Sequence, residues 1–184
     1  IMYVHVPSAW MSMMIYTVMA GASASFLIWR HPLADIAARA SAPLGAAFTL
    51  VTLATGSLWG KPMWGTWWEW DARLTSVLVL FFLYVAYIAL ADSYAGEERG
   101  KKICAIFALV GLVNIPVIRF SVEWWSTLHQ PASIIRSGGM AIDNSMLFPL
   151  FTMALGFTLF YVVLLLLRVK TALIEQKIKR LRFR

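Results

Sequence analysis

The chain has 184 residues, of which 60% are hydrophobic and 14% charged, and it carries a net charge of +7. Mean hydropathy is +0.72. An ordinary soluble domain carries about 25% charged residues, so the composition excludes a disordered chain and argues against a soluble globule. The single cysteine, Cys104, excludes a disulfide framework, a thiolate metal cluster and a C-x-x-C-H attachment site. Helix packing is its expected role.

Taken in chain order, runs without charge predict an all-α, polytopic transmembrane bundle with five spans, at about 8–29, 41–60, 74–91, 103–119 and 144–167. The opening run has no basic leader and is too long for a signal-peptide core, so it reads as a span. Asn114 and Pro116 predict a loosened outer end of the fourth span. Loops on the C-terminal side hold twelve basic residues and five acidic ones; the other side, with Lys61, Arg73, Arg119 and Arg136, holds four of each. Basic residues favour the cytoplasmic side, which places the C-terminus inside and residue 1 outside. The pI near 9.9 then reflects topology and anionic membrane lipids, not nucleic-acid binding. Residues 168–184 form a cytoplasmic tail in which Leu173, Ile174, Ile178 and Leu181 recur at helical spacing. No repeat or domain-scale linker interrupts residues 1–184, which read as a single membrane domain with outer loops at 61–73 and 120–143.

Eight of nine tryptophans fall at or near the outer boundary, whereas an aromatic belt alone would populate both. The densest stretch runs from Gly60 to Ser76. Gly60, Pro62 and Gly65 are expected to stop the second helix. If the stretch then turns helical, Trp64, Trp67, Trp68 and Asp71 share a face that offers indole planes to a flat apolar ligand; the plainer alternative is an interfacial anchor. Asp71 suits the N-terminus of the third span, but Arg73 does not, so Arg73 wants an acid or an anionic ligand group as partner. Trp124 and Trp125 form a second aromatic pair outside.

Two histidines, His5 and His129, lie on the outer side, and His31 lies inside. Each outer one alone reads most simply as a hydrogen-bonded interfacial residue. A pair near tryptophans suits haem iron, which takes imidazole at both axial positions. With no sulfur ligands or acid cluster, zinc and hard cations fit less well. Arg73, Arg119 and Arg136, with Lys61, are candidates for haem propionates, and the guanidinium fork favours the arginines. No Ser-His-Asp set, Walker loop or chain of intramembrane acids is present, which argues against a hydrolase, an ATPase and a proton pump.

Trp64-Gly-Thr-Trp-Trp-Glu-Trp-Asp71, continuing into Ala-Arg-Leu-Thr-Ser76, resembles the WWD signature of the haem-handling membrane proteins of cytochrome c maturation. With Gly60-Lys-Pro-Met63, Tyr3-Val-His-Val-Pro7 and Glu123-Trp-Trp-Ser-Thr-Leu-His-Gln130, it resembles the haem exporter protein C family, CcmC, in particular. The resemblance implies a bacterial inner-membrane protein of six spans, one of them before His5, whose outer side is periplasmic. It implies haem b held by His5 and His129 as axial ligands, with Trp64, Trp67, Trp68, Trp70 and Asp71 as docking surface. It further implies delivery of haem to the chaperone CcmE, and work with CcmD, CcmA and CcmB. Two other readings stay open: a b-type electron-transfer cytochrome, and a structural subunit whose Trp-rich loop docks a partner without haem.

Overall fold

A computed structural model describes residues 1–125, 127–129 and 142–182. Its regular structure is entirely helical among those residues: α1 Met2–Trp29, α2 Pro32–Trp64, α3 Ala72–Ser93, α4 Glu98–Gly111, α5 Asn114–Trp124 and α6 Asn144–Arg182. Five elements are long and apolar enough to cross a membrane, with α4 and α5 together forming one of them (Glu98–Trp124). The chain is thus a multi-pass, all-α membrane bundle.

The helix boundaries follow from local chemistry. α1 closes on Arg30 in the left-handed region (φ 56°), and Pro32 opens α2 at a position where its missing N–H costs nothing. α2 does not stop at Gly60. It continues through Pro62 to Trp64 and ends only at Gly65 (φ 78°), whose N–H reaches back to the Lys61 carbonyl at 3.0 Å. Pro62 removes one backbone bond and leaves the Leu58 carbonyl to other donors, a loss that a helix end tolerates. The expected loosening before Pro116 is present as a break at Leu112–Val113 between α4 and α5. α6 continues without interruption into the basic segment, so the last span and the tail are one helix of 39 residues.

α1 packs along α2 and also touches α4 and α6; α3 lies against α2, α4 and α5. Small residues let these backbones approach: Ser8, Ser12, Ala20 and Ser23 on α1, Ala38, Ser41, Ala42 and Gly45 on α2, Cys104, Ala105 and Ala108 on α4, all buried. The Tyr84 ring lies directly over Gly45, where a side chain would collide with it. The Tyr84 hydroxyl donates to the Ser12 carbonyl at 2.8 Å, and its ring meets Tyr16 edge-on at 5.1 Å. One residue of α3 therefore fastens α1 and α2 together. Farther along, the hydroxyls of Ser41 and Tyr161 lie 2.9 Å apart and Arg168 donates to the Ala40 carbonyl, tying α6 to α2. α6 is otherwise the least enclosed helix, with Phe148, Leu155, Leu159 and Leu166 exposed as a lipid-facing surface would be.

Filling Gly45 should therefore cost stability. Gly45→Ala is expected to lower stability by about 1–3 kcal/mol, read as a lower thermal midpoint in detergent. Gly21→Ala, which meets nothing within 4 Å, should leave the midpoint unchanged or slightly raised.

Candidate functional site

Four stretches meet at the end of the bundle where α2 stops: the first turn of α1, the last three turns of α2, the start of α3 with the loop before it, and the segment after α5. His5 reaches from α1 to α2. Its Nδ1 lies 3.0 Å from Thr55 Oγ1, its ring is edge-on to Trp59 at 5.8 Å, and Gly56 leaves room for it, since a Cβ there would stand 3.1 Å from Cε1. Thr55 and Trp59 are four residues apart and so share one face of α2.

The Trp-rich stretch does not turn helical. After the left-handed Gly65, Thr66 folds it into a hydroxyl-bonded turn: Thr66 Oγ1 donates to the Trp68 carbonyl at 2.8 Å, and the Trp68 N–H points back at Oγ1 at 3.4 Å. A side chain that bonds its own backbone in this way competes with helix formation. The expected common face of Trp64, Trp67, Trp68 and Asp71 is therefore absent. Trp64 ends α2, Trp68 meets Trp70 edge-on at 5.5 Å, and Trp67 lies under Lys61 Nζ at 5.9 Å. Gly60 accommodates the returning loop, with the Thr66 carbonyl 3.2 Å from where its Cβ would be.

Asp71 serves two elements. Its Oδ1 accepts the Leu74 N–H at 2.7 Å as the N-cap of α3, and its Oδ2 lies 3.1 Å from His129 Nδ1. His129 also meets Trp64 edge-on at 4.9 Å, and its own N–H is held by Thr127 Oγ1 at 3.2 Å. Burial depresses the His129 pKa, the neighbouring Asp71 carboxylate pulls it back up, and Arg73 lowers it again; the net effect is downward from the usual imidazole value. The two imidazoles, 124 positions apart in sequence, both pack on the last turns of α2, His5 against Trp59 and His129 against Trp64.

Among the described residues Arg73 forms no ion pair with an acid. Nε donates to Ser121 Oγ at 3.3 Å and Nη2 to the Arg119 carbonyl at 3.5 Å, and no carboxylate among the described residues lies within 4.0 Å of it. Arg119 itself faces Glu123 at 3.6 Å across one helical turn. Trp68 Nε1 is buried without a hydrogen-bond partner among the described residues. Trp124 stacks on Phe120 at 5.4 Å and touches Trp125 edge-on at 5.7 Å, so these two extend an aromatic surface on the α5 side and are not in ring contact with either histidine. Arg136 lies outside the described residues.

A family model, CcmC, heme exporter protein C, matches residues 1–184. The chain belongs to the CcmC family. Proteins named heme exporter protein C are 53% identical over 181 residues in Bradyrhizobium diazoefficiens (98% of this chain, 69% of that one) and 47% over 180 residues in Haemophilus influenzae (98% and 73%). The Escherichia coli K12 protein of that name is 46% identical over 180 residues (98% and 72%). Within this CcmC chain, sequence reasoning brought together His5, His129, Trp64, Asp71 and Arg73. It missed Thr55, Gly56 and Ser121. Thr55 carried one signal, its place one turn before Trp59 on the helix that faces His5.

Two outcomes are expected. An NMR titration should place the His129 midpoint below about 6.5; Asp71→Asn, which removes the raising charge, should move it lower still, and Arg73→Gln should move it up. Asp71→Ala should also cost about 1 kcal/mol through loss of the α3 cap, whereas Asp71→Asn, an equally good cap, should not; thermal midpoints compare the two.

Proposed function

We propose that the chain handles haem for cytochrome c maturation as one membrane domain of the bacterial inner membrane, binding haem b at the His5–His129 end and passing it to CcmE. The observation that supports the reading is the placing of His5 and His129 at the last turns of α2, beside Trp59 and Trp64 respectively, with each imidazole held at Nδ1 by an oxygen. The donor set suits haem better than a simple cation: among the described residues no three metal-binding side chains cluster, so what the site offers is an imidazole pair, indole faces and donors for an anion.

When bound, haem supplies an iron with two axial positions for imidazole nitrogens. His5 and His129 would take those positions. Trp64, Trp67, Trp68 and Trp70 would cover the macrocycle and exclude water, with Trp124 and Trp125 continuing the surface. Asp71 orients His129. Arg73, which has no carboxylate within 4.0 Å among the described residues, and Arg119 would hold propionates, Arg136 being a third candidate from sequence, and the Trp68 N–H, without a hydrogen-bond partner among the described residues, is a further donor. The excess of basic residues at the opposite end supports a cytoplasmic C-terminus and a periplasmic site. CcmA, CcmB and CcmD are the proposed companions in the membrane, alongside lipids.

Protein purified from cells that make haem should show the absorption spectrum of low-spin, bis-imidazole haem. His5→Ala and His129→Ala should each lose most of the bound haem or shift it to high spin. Unchanged haem content and spectrum in both variants would overturn the reading.

A further inference from the structure

The hydrogen bonds behind the two histidines determine which ring nitrogen each presents. Thr55 Oγ1 lies 2.6 Å from the Val51 carbonyl and 3.3 Å from that of Thr52. A hydroxyl has one proton and a carbonyl has none, so Thr55 donates to its own helix and offers His5 only lone pairs. The 3.0 Å contact with His5 Nδ1 then requires the ring to donate: His5 carries its proton on Nδ1, and Nε2 holds a free lone pair. His129 reaches the same state by a different partner. The Asp71 carboxylate is an acceptor only, one oxygen is taken by the Leu74 N–H, and the other faces Nδ1 at 3.1 Å. No hydrogen bond to either Nε2 is found among the described residues.

The two backing groups differ in strength. A hydrogen bond to an ionised carboxylate is roughly twice as strong as one between neutral groups, and an acceptor behind a ligating imidazole raises the basicity of the nitrogen in front. The geometry points to Thr55 and Asp71 as positioning residues that fix both histidines as Nδ1–H tautomers and grade them, so that His129 is the firmer iron ligand and His5 the one that lets go first. This rests on the haem-binding reading above. It gives the site a built-in order of release, with the cargo still held through the loop while the α1 side opens.

The full chain, haem-free, in lipid nanodiscs and carrying 15N-labelled histidine, tests the tautomers directly. The 15N shifts of both rings should report a proton on Nδ1. Thr55→Val, which keeps the shape and removes the acceptor, should convert His5 to a mixture, and Thr55→Ser should restore it. Loaded with haem, Thr55→Val should bind about tenfold more weakly, with Thr55→Ser again recovering. Asp71→Asn, which keeps the α3 cap, should raise the haem reduction potential, because a less basic imidazole stabilises the ferric state less; Thr55→Val should move the potential by a smaller amount. Carbon monoxide added to the reduced protein displaces the weaker histidine, so the wild-type adduct should match that of His5→Ala in its Fe–CO vibrations. A wild-type adduct that matches His129→Ala, or a His5 tautomer indifferent to Thr55→Val, would overturn the proposal. A wild-type chain with the expected tautomers but no bis-imidazole haem would instead sink the haem-binding reading on which the release order depends.

Discussion

Asp71 divides its carboxylate between the architecture and the site. One oxygen satisfies the free N–H of Leu74 in the first turn of α3; the other holds His129, a residue delivered by the chain 58 positions later. Neither job is possible unless α2 ends where it does. The left-handed Gly65 and the Thr66 turn use up the seven residues 65–71 and bring the chain to the start of α3 with Asp71 only 9% exposed. A carboxylate at that depth costs free energy unless its oxygens are bonded, and here both are. The cap and the imidazole thus stabilise the same buried charge, which couples the folding of the third span to the pose of the ligand candidate.

Below that junction the bundle is built for close approach and little compliance. Gly45 beneath Tyr84, Gly111 beneath Tyr16, and serines turned onto their own helices give interfaces that depend on contact distance. In lipid the hydrophobic effect contributes little between helices, so such packing and a few interhelical hydrogen bonds carry the association. The outward surfaces are the reverse: large aliphatic and aromatic side chains on α6 face away from the bundle. At the opposite end, Arg39 spans Asp35 at 3.1 Å and the Ala91 carbonyl at 2.9 Å, closing α2 on α3 where the basic residues gather.

The five spans were legible because uninterrupted apolar runs leave few alternatives, and the break near Pro116 was legible because a proline and an asparagine fell together. The end of α2 was legible only in part: of the three expected stops Gly65 holds, and Gly60 and Pro62 do not. Pro62 and Gly60 look like stops, yet a proline in the last turns forfeits only one carbonyl bond, and a glycine there serves close approach of the loop instead. The Trp-rich stretch has a helical pattern of indoles that Gly65 and the Thr66 hydroxyl override locally. His5, His129, Asp71 and Arg73 stood out by type and side. Thr55 did not, because a threonine on an apolar helix ordinarily bonds its own preceding turn, and it does so here; its second role exists only once α1 brings His5 alongside. Arg73 was expected to face an acid or an anionic ligand group; among the described residues it rests on a hydroxyl and a carbonyl, with no carboxylate in ion-pair contact.

The length of α2 sets where all of this sits. Its 33 residues span about 50 Å at 1.5 Å per residue, against about 30 Å of hydrocarbon, while α3, with 22 residues, is close to a match at about 33 Å. Tilt takes up part of the surplus, and at the Gly65 end Trp59 closes the apolar stretch while the exposed Met63 lies beyond it, near the contacts to His5 and His129. Bilayer thickness therefore becomes a variable of this end of the bundle: a thicker membrane draws these turns toward the acyl chains and a thinner one lifts them toward water, so the surroundings of both imidazoles shift with lipid composition alone.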